Sequence, residues 1–161
     1  MKNIRNLLIA IFVSEFIGIL GSVFTISALP KWYANLSKPP FTPPNWIFAP
    51  VWIILYLLMG IALYLVLETK NQNMHNKETK TLAVRVFGIQ LFLNLLWSVL
   101  FFGLRSPTYG MLGIVALWIM VLFTIYYFSI ISKKASLLLI PYILWITFAM
   151  MLNFWIMLFN P

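Results

Sequence analysis

Residues 46–67 read WIFAPVWIILYLLMGIALYLVL, a run of 22 residues without a single charged side chain. About 20 apolar residues at 1.5 Å rise per residue cover the ~30 Å hydrocarbon core of a bilayer, so this run predicts one membrane-spanning helix. A backbone inside lipid must satisfy its own N–H and C=O groups, and a helix does so within one segment.

Four further stretches have the same character and lie at residues 7–29, 86–104, 109–131 and 137–159. Glu15 is the one charge among all five stretches. The chain therefore predicts an all-α integral membrane protein: one domain over residues 1–161 that forms a bundle of five transmembrane helices. Their expected bounds are 5–28, 46–67, 82–104, 109–131 and 137–159.

The basic residues are distributed unequally between the two ends of this bundle. One face carries Lys2, Arg5, Lys70, Lys77, Lys80, Arg85, Lys133 and Lys134. The other carries only Lys31, Lys38 and Arg105. By the positive-inside rule the N-terminus is cytoplasmic, in a multi-pass protein that we expect in a bacterial cell membrane. The net charge of +8 then indicates contacts with anionic lipid headgroups, with no nucleic-acid partner.

The inventory of reactive side chains excludes most conventional catalysis. The chain has no cysteine, one histidine (His75), no aspartate and three glutamates (Glu15, Glu68 and Glu78). Thiolate chemistry, paired membrane carboxylates and the usual di-histidine metal sites are therefore absent. We expect no metal, no cofactor and no conventional enzyme.

The first loop contains KPPFTPPNW at residues 38–46, with four prolines in six residues. Proline removes backbone donors and favours a stiff, extended path. Such a segment suits a lid across the mouth of a helix bundle, and a rigid connector is the simpler alternative.

Two strips of small residues permit close helix packing, one at Gly18 and Gly21 and one at Gly110, Gly113 and Ala116. They would serve packing within one chain or between two chains of a dimer. The within-chain interpretation is the simpler one.

Several deep aromatic residues share helix faces with amides. Trp52 and Tyr56 are spaced i,i+4, and Asn94 and Trp97 are spaced i,i+3. Gln90 lies one turn before Asn94, and Trp145, Ala149 and Leu152 share a face beside Asn153. Buried amides can act as interhelical glue, or they can line a cavity with flat aromatic walls that suits a large, planar, apolar ligand.

Four blocks carry a resemblance to a known family. They are WYxxLxKP at residues 32–39, PPxWxFxPVWxxLYxxMG at 43–60, QLxLNxxWSxxFF at 90–102 and PYxxWxxxAxxLN at 141–153. Together they resemble the TspO/MBR family of translocator proteins, also called peripheral-type benzodiazepine receptors.

This resemblance implies a membrane receptor or carrier for tetrapyrroles such as protoporphyrin IX and for isoquinoline carboxamides. It implies a homodimer, a lid formed by the first loop, and light-dependent oxidative breakdown of porphyrin in some bacterial members. The implied photo-oxidation residues are Trp52 and Trp145. The implied wall and lid residues are Tyr33, Pro43, Phe48, Tyr56, Asn94, Trp97, Ala149 and Leu152, to which the amide pattern adds Gln90.

The sequence departs from animal members of this family at its C-terminal end. The run LNFWIMLFNP at residues 152–161 has neither the tyrosine nor the basic residue of the animal cholesterol pattern, so sterol binding there is not expected. Glu15 has a structural interpretation, in which it pairs with polar groups such as Ser22, and a functional one. Two alternatives stay open: a proton-coupled small multidrug exporter that uses Glu15, and a non-catalytic membrane sensor subunit.

Overall fold

The computed structural model describes residues 3–70 and 74–160, with side chains from residue 77 onward in the second range. Its α-helices are α1 (Ile4–Ala28), α2 (Phe48–Glu68), α3 (Met74–Ser98), α4 (Pro107–Ile131), α5 (Lys133–Leu137) and α6 (Ile140–Phe159). Single 3₁₀ turns occupy Tyr33–Asn35 and Asn45–Ile47, and a π-helical turn over Val99–Gly103 continues α3. The described residues contain no strand, which confirms the all-α prediction.

Five of the helical segments are long and apolar enough to cross a membrane, as predicted. These spans are Ile4–Ala28, Asn45–Glu68, Lys77–Gly103, Pro107–Ile131 and Lys133–Phe159. The fifth span contains both α5 and α6.

The third and fifth helices depart most from the expected bounds. The third helix begins at Met74, eight residues before the expected start at 82, because hydropathy detects only the apolar part of a helix that extends into a polar environment. The expected helix over 137–159 is interrupted after Leu137 and resumes at Ile140. Pro141 explains this break, since a proline ring clashes with the carbonyl four residues before it.

The five spans close into a ring around a shared interior. Helix α1 packs against α2 and α3, α3 packs against α4, and α4 packs against α5 and α6. Helix α5 completes the ring by packing against α2. Side chains from the second, third and fifth spans consequently point toward one another across the centre.

Glycines set how closely the helices approach. A Cβ added at Gly60 of α2 would lie 2.6 Å from the Ile11 Cα atom of α1. One at Gly18 would lie 2.5 Å from the Tyr56 ring, and one at Gly110 would lie 2.5 Å from Phe101. Both small-residue strips therefore contact other helices of the same chain, as the simpler interpretation predicted.

The π-helical turn changes the direction of the chain at the end of the third span. Its closing hydrogen bond runs from the Leu104 N–H to the Val99 carbonyl at 2.7 Å, and Arg105 follows with φ 53°. The wider turn leaves Phe101 and Phe102 buried, facing the first loop. Such turns often occur at functional sites.

Candidate functional site

Four aromatic rings from three spans meet at the centre of the bundle, and we call them the Trp52 cluster. The Trp52 ring centre lies 5.6 Å from that of Tyr56, 6.1 Å from that of Trp97 and 6.4 Å from that of Tyr142. The i,i+4 spacing of Trp52 and Tyr56 places them on the face of α2 that points inward. Ring pairs at these separations are each stabilised beyond simple burial.

Amide side chains tie the cluster together. Tyr56 donates its hydroxyl hydrogen to Asn94 Oδ1, and Asn94 Nδ2 donates to the Tyr142 hydroxyl at 2.8 Å. The Tyr142 hydroxyl in turn donates to Gln90 Oε1 at 2.9 Å, and Gln90 Nε2 lies 3.7 Å from the Met59 sulfur. This network links the second, third and fifth spans.

A second set of polar contacts lies one turn further along. Trp97 Nε1 donates to Asn153 Oδ1 at 3.4 Å, and Asn153 Nδ2 donates to the Pro107 carbonyl at 2.7 Å. Gly110 makes room for this arrangement, because a Cβ there would lie 2.8 Å from Asn153 Oδ1. The three interior amides, Gln90, Asn94 and Asn153, therefore all have protein partners. In this structure they link neighbouring helices.

Trp145 differs from the three interior amides. Its Nε1 is buried, yet it has no hydrogen-bond partner among the described residues. Its ring packs against Phe48 at 5.9 Å and Phe148 at 5.6 Å between centres. A buried indole N–H without an acceptor is costly, so this is the position where an added acceptor would be stabilised.

The first loop covers the mouth of this aromatic region. Tyr33 is buried and its ring centre lies 6.3 Å from Phe48 and 6.0 Å from Phe102. Burial raises the pKa of Tyr33 to about 12, so the phenol stays neutral at physiological pH. Lys38 lies 4.8 Å above the Tyr33 ring centre and donates to the Tyr33 carbonyl at 2.9 Å.

One asparagine side chain fastens this loop to the far end of the chain. Asn160 Oδ1 accepts from the Ser37 N–H at 2.9 Å, and Asn160 Nδ2 donates to the Ser37 carbonyl at 3.0 Å. We call this pair the Ser37–Asn160 latch. Phe41 adds ring contacts to Phe148 and Trp155 on α6.

The structure brings most of the predicted residues into one region. Seven of the predicted site residues are buried: Tyr33, Tyr56, Gln90, Asn94, Trp97, Ala149 and Leu152. The other four are half-buried: Pro43, Phe48, Trp52 and Trp145. Ala149 lies one turn from both Trp145 and Asn153 on α6.

Sequence reasoning missed four residues of this region: Tyr142, Phe101, Phe148 and Met59. A signal was present for Tyr142, since a tyrosine hydroxyl inside an apolar helix requires a partner. No sequence signal identifies Phe101, because its direction depends on the π-helical turn.

Comparisons with known proteins agree with this architecture. The sequence pattern of the TspO/MBR family matches residues 10–158. The chain is 48% identical over 158 residues to the tryptophan-rich protein TspO of Archaeoglobus fulgidus, covering 98% of this chain and 99% of that protein.

It is 32% identical over 154 residues to the tryptophan-rich sensory protein of Cereibacter sphaeroides, covering 94% of this chain and 92% of that protein. It is 36% identical over 137 residues to the translocator protein of Bos taurus, covering 85% of this chain and 79% of that protein. These names describe sensory and translocator proteins and state no catalysed reaction.

Proposed function

The chain belongs to the TspO/MBR family of integral membrane proteins, and we propose that it is a receptor or carrier for a tetrapyrrole. The proposed ligand class is a large, flat, mostly apolar ring such as protoporphyrin IX. Isoquinoline carboxamides share the flat aromatic body and a carbonyl acceptor, so they belong to the same proposal.

The observation that carries this proposal is the aromatic region with one free donor. The Trp52 cluster and the group around Trp145 offer flat apolar surfaces, which suit a planar ligand. The interior amides already have protein partners. Ligand contacts would therefore be mainly apolar, with Trp145 Nε1 available to a carbonyl or carboxylate oxygen.

Entry of a ligand requires the packed rings of this region to move apart. The Trp52 and Trp97 ring centres are 6.1 Å apart, whereas a flat ring held between two faces at van der Waals contact needs about 7 Å. Release of the first loop would supply that space. If these rings stay packed and no ligand enters, the alternative of a non-catalytic membrane sensor subunit is favoured instead.

The testing experiment is a titration of purified protein in detergent with protoporphyrin IX, in the dark. Because the proposed site contains Trp52, Trp97 and Trp145, bound porphyrin should quench tryptophan fluorescence in a saturable way. We expect a dissociation constant on the order of 1 μM, near 8 kcal/mol of binding free energy. Unsaturable quenching, equal to that of free tryptophan, would contradict the proposal.

The Ser37–Asn160 latch gives a kinetic prediction. Asn160→Ala removes both hydrogen bonds between the loop and α6, which at about 1 kcal/mol in total should speed ligand release roughly fivefold. Stopped-flow displacement measures that rate. Asn35→Ala is the matched control, since Asn35 Nδ2 donates only within the loop, to the Lys31 carbonyl at 2.7 Å. Equal release rates in both variants would show that the latch does not limit exit.

The proposal extends to light-dependent oxidative breakdown of the bound porphyrin, with Trp52 and Trp145 as the participating residues. It also includes a cytoplasmic N-terminus and a homodimer. Since the two small-residue strips are occupied within the chain, a dimer would use other faces.

A further inference from the structure

Glu15 lies near the middle of the first span. It is eleven residues after the start of α1, Ile4–Ala28, which places it about 16 Å along the helix axis. A glutamate side chain is too short to reach either membrane surface from that depth. A carboxylate there is costly unless a positive charge or strong hydrogen-bond donors lie beside it.

Two contacts define the surroundings of this carboxyl group. Ile11, four residues before Glu15, packs against Gly60 of α2, and Gly18, three residues after it, packs against Tyr56 of α2. Because residues at i−4 and i+3 share a helix face, Glu15 borders the seam between α1 and α2. Its side chain is half-buried, so the seam is open to the lipid side at this point.

No partner for the carboxyl group lies among the described side chains of residues 3–70 and 77–160. Glu15 has neither a hydrogen bond nor an ion pair there. Ser22, the partner expected from the sequence, donates instead to the Ile19 carbonyl at 2.7 Å. The nearby Tyr56 hydroxyl donates to Asn94. The positive charges of the chain lie toward the ends of the spans, away from this depth.

The lipid side of Glu15 is aromatic. Phe12 and Phe16 flank it on α1, with exposed fractions of 65% and 46%. Their rings are stacked with centres 5.9 Å apart. A carboxylate beside exposed aromatic faces is the combination that stabilises organic cations, through charge pairing and cation–π contact.

We propose that Glu15, Phe12, Phe16 and the α1–α2 seam form a second binding site, which takes a hydrophobic organic cation directly from the bilayer. The cation must be hydrophobic because the site lies at mid-membrane depth, and it must be organic because one carboxylate cannot satisfy a metal ion. This site adjoins the proposed tetrapyrrole site at Tyr56, whose ring contacts both Gly18 of α1 and Trp52.

The experiment measures equilibrium binding of tetraphenylphosphonium to the purified full-length chain in lipid nanodiscs. Glu15→Gln keeps shape and removes the charge, so its phosphonium affinity should fall at least about tenfold. Glu78→Gln is the matched control and should bind as the wild type does. Glu15→Gln should still show saturable protoporphyrin quenching, which separates this site from the proposed tetrapyrrole site and confirms that the variant is folded.

A hydrophobic carbodiimide provides a second measurement, since it reacts with carboxyl groups that are accessible from lipid. Wild-type Glu15 should be labelled, and tetraphenylphosphonium should slow that labelling. Unchanged phosphonium affinity in Glu15→Gln would overturn the proposal. So would an unlabelled Glu15 whose replacement converts a dimer into monomers, because a second copy of the chain would then cover the seam.

Discussion

Ala149→Phe is expected to weaken binding of protoporphyrin IX or an isoquinoline carboxamide by at least about tenfold, on the order of 1.4 kcal/mol. Ala149 is buried on α6, one turn from Trp145 on one side and one turn from Asn153 on the other. Its small side chain is therefore a neighbour of Trp145, whose Nε1 is one of two buried donors without a partner among the described residues. A phenyl ring at that position would occupy the space that the ligand needs.

Two controls separate a blocked site from a damaged fold. Ala149→Ser adds one atom and should change the dissociation constant by less than about threefold. Val115→Phe places the same phenyl side chain on the exposed side of α4 and should leave binding unchanged. Fluorescence titration measures all three variants, with thermal unfolding as the check on folding. Wild-type affinity in a folded Ala149→Phe protein would place the ligand elsewhere.

The sequence predicted the number of spans because lipid imposes a length and an apolarity that few soluble segments share. It did not predict the start of α3 at Met74, where polar residues continue the helix beyond the apolar stretch. Nor did it predict the break before Ile140, although the proline at position 141 is its physical cause. Hydropathy reports the solvent around a helix, whereas local backbone chemistry decides where the helix begins and ends.

The inward-facing residues were predicted to a similar extent. Spacing placed Trp52 on one face of α2 with Tyr56, and Asn94 on one face of α3 with Trp97, because i,i+3 and i,i+4 neighbours share a face. In the structure these two faces meet. The hydrogen-bond partners were beyond that reasoning. Asn94 joins two tyrosines 38 and 48 residues away in sequence, and such pairings follow from how whole helices pack. The Ser37–Asn160 latch, with its 123-residue separation, is a further example.

Replacing both Trp52 and Trp145 by phenylalanine is expected to abolish most light-driven loss of bound porphyrin while leaving appreciable binding. Phenylalanine keeps an apolar face for the ring, but it is much harder to oxidise than indole. The chain offers no cysteine, and its interior amides are engaged with protein partners. In this proposal the reactivity comes from the excited porphyrin and from electron-rich rings held against it.

The proposed reaction balances with dioxygen as the oxidant. Cleavage of one methine double bond of the porphyrin by one O₂ molecule gives two carbonyl groups, so no external reductant is consumed. An indole would donate an electron to the excited porphyrin and would be reduced again by electron return after the reaction. The contacts of Trp52 with Tyr56, Trp97 and Tyr142 place further oxidisable rings within 6.4 Å of it. The protein would contribute orientation in a water-poor interior.

The two tryptophans should also be distinguishable from each other. Trp145 has a free N–H, so Trp145→Phe should weaken binding as well as turnover, whereas Trp52→Phe should act mainly on turnover. Trp118→Phe is the matched control, since Trp118 lies on α4, outside the Trp52 cluster, and donates to Thr147 of α6 at 2.9 Å. The measurement is porphyrin absorbance over time, in light and in darkness, with and without oxygen. Full-rate decay in the double variant, or equal decay in darkness, would rule out this chemistry and leave the protein as a binder or carrier.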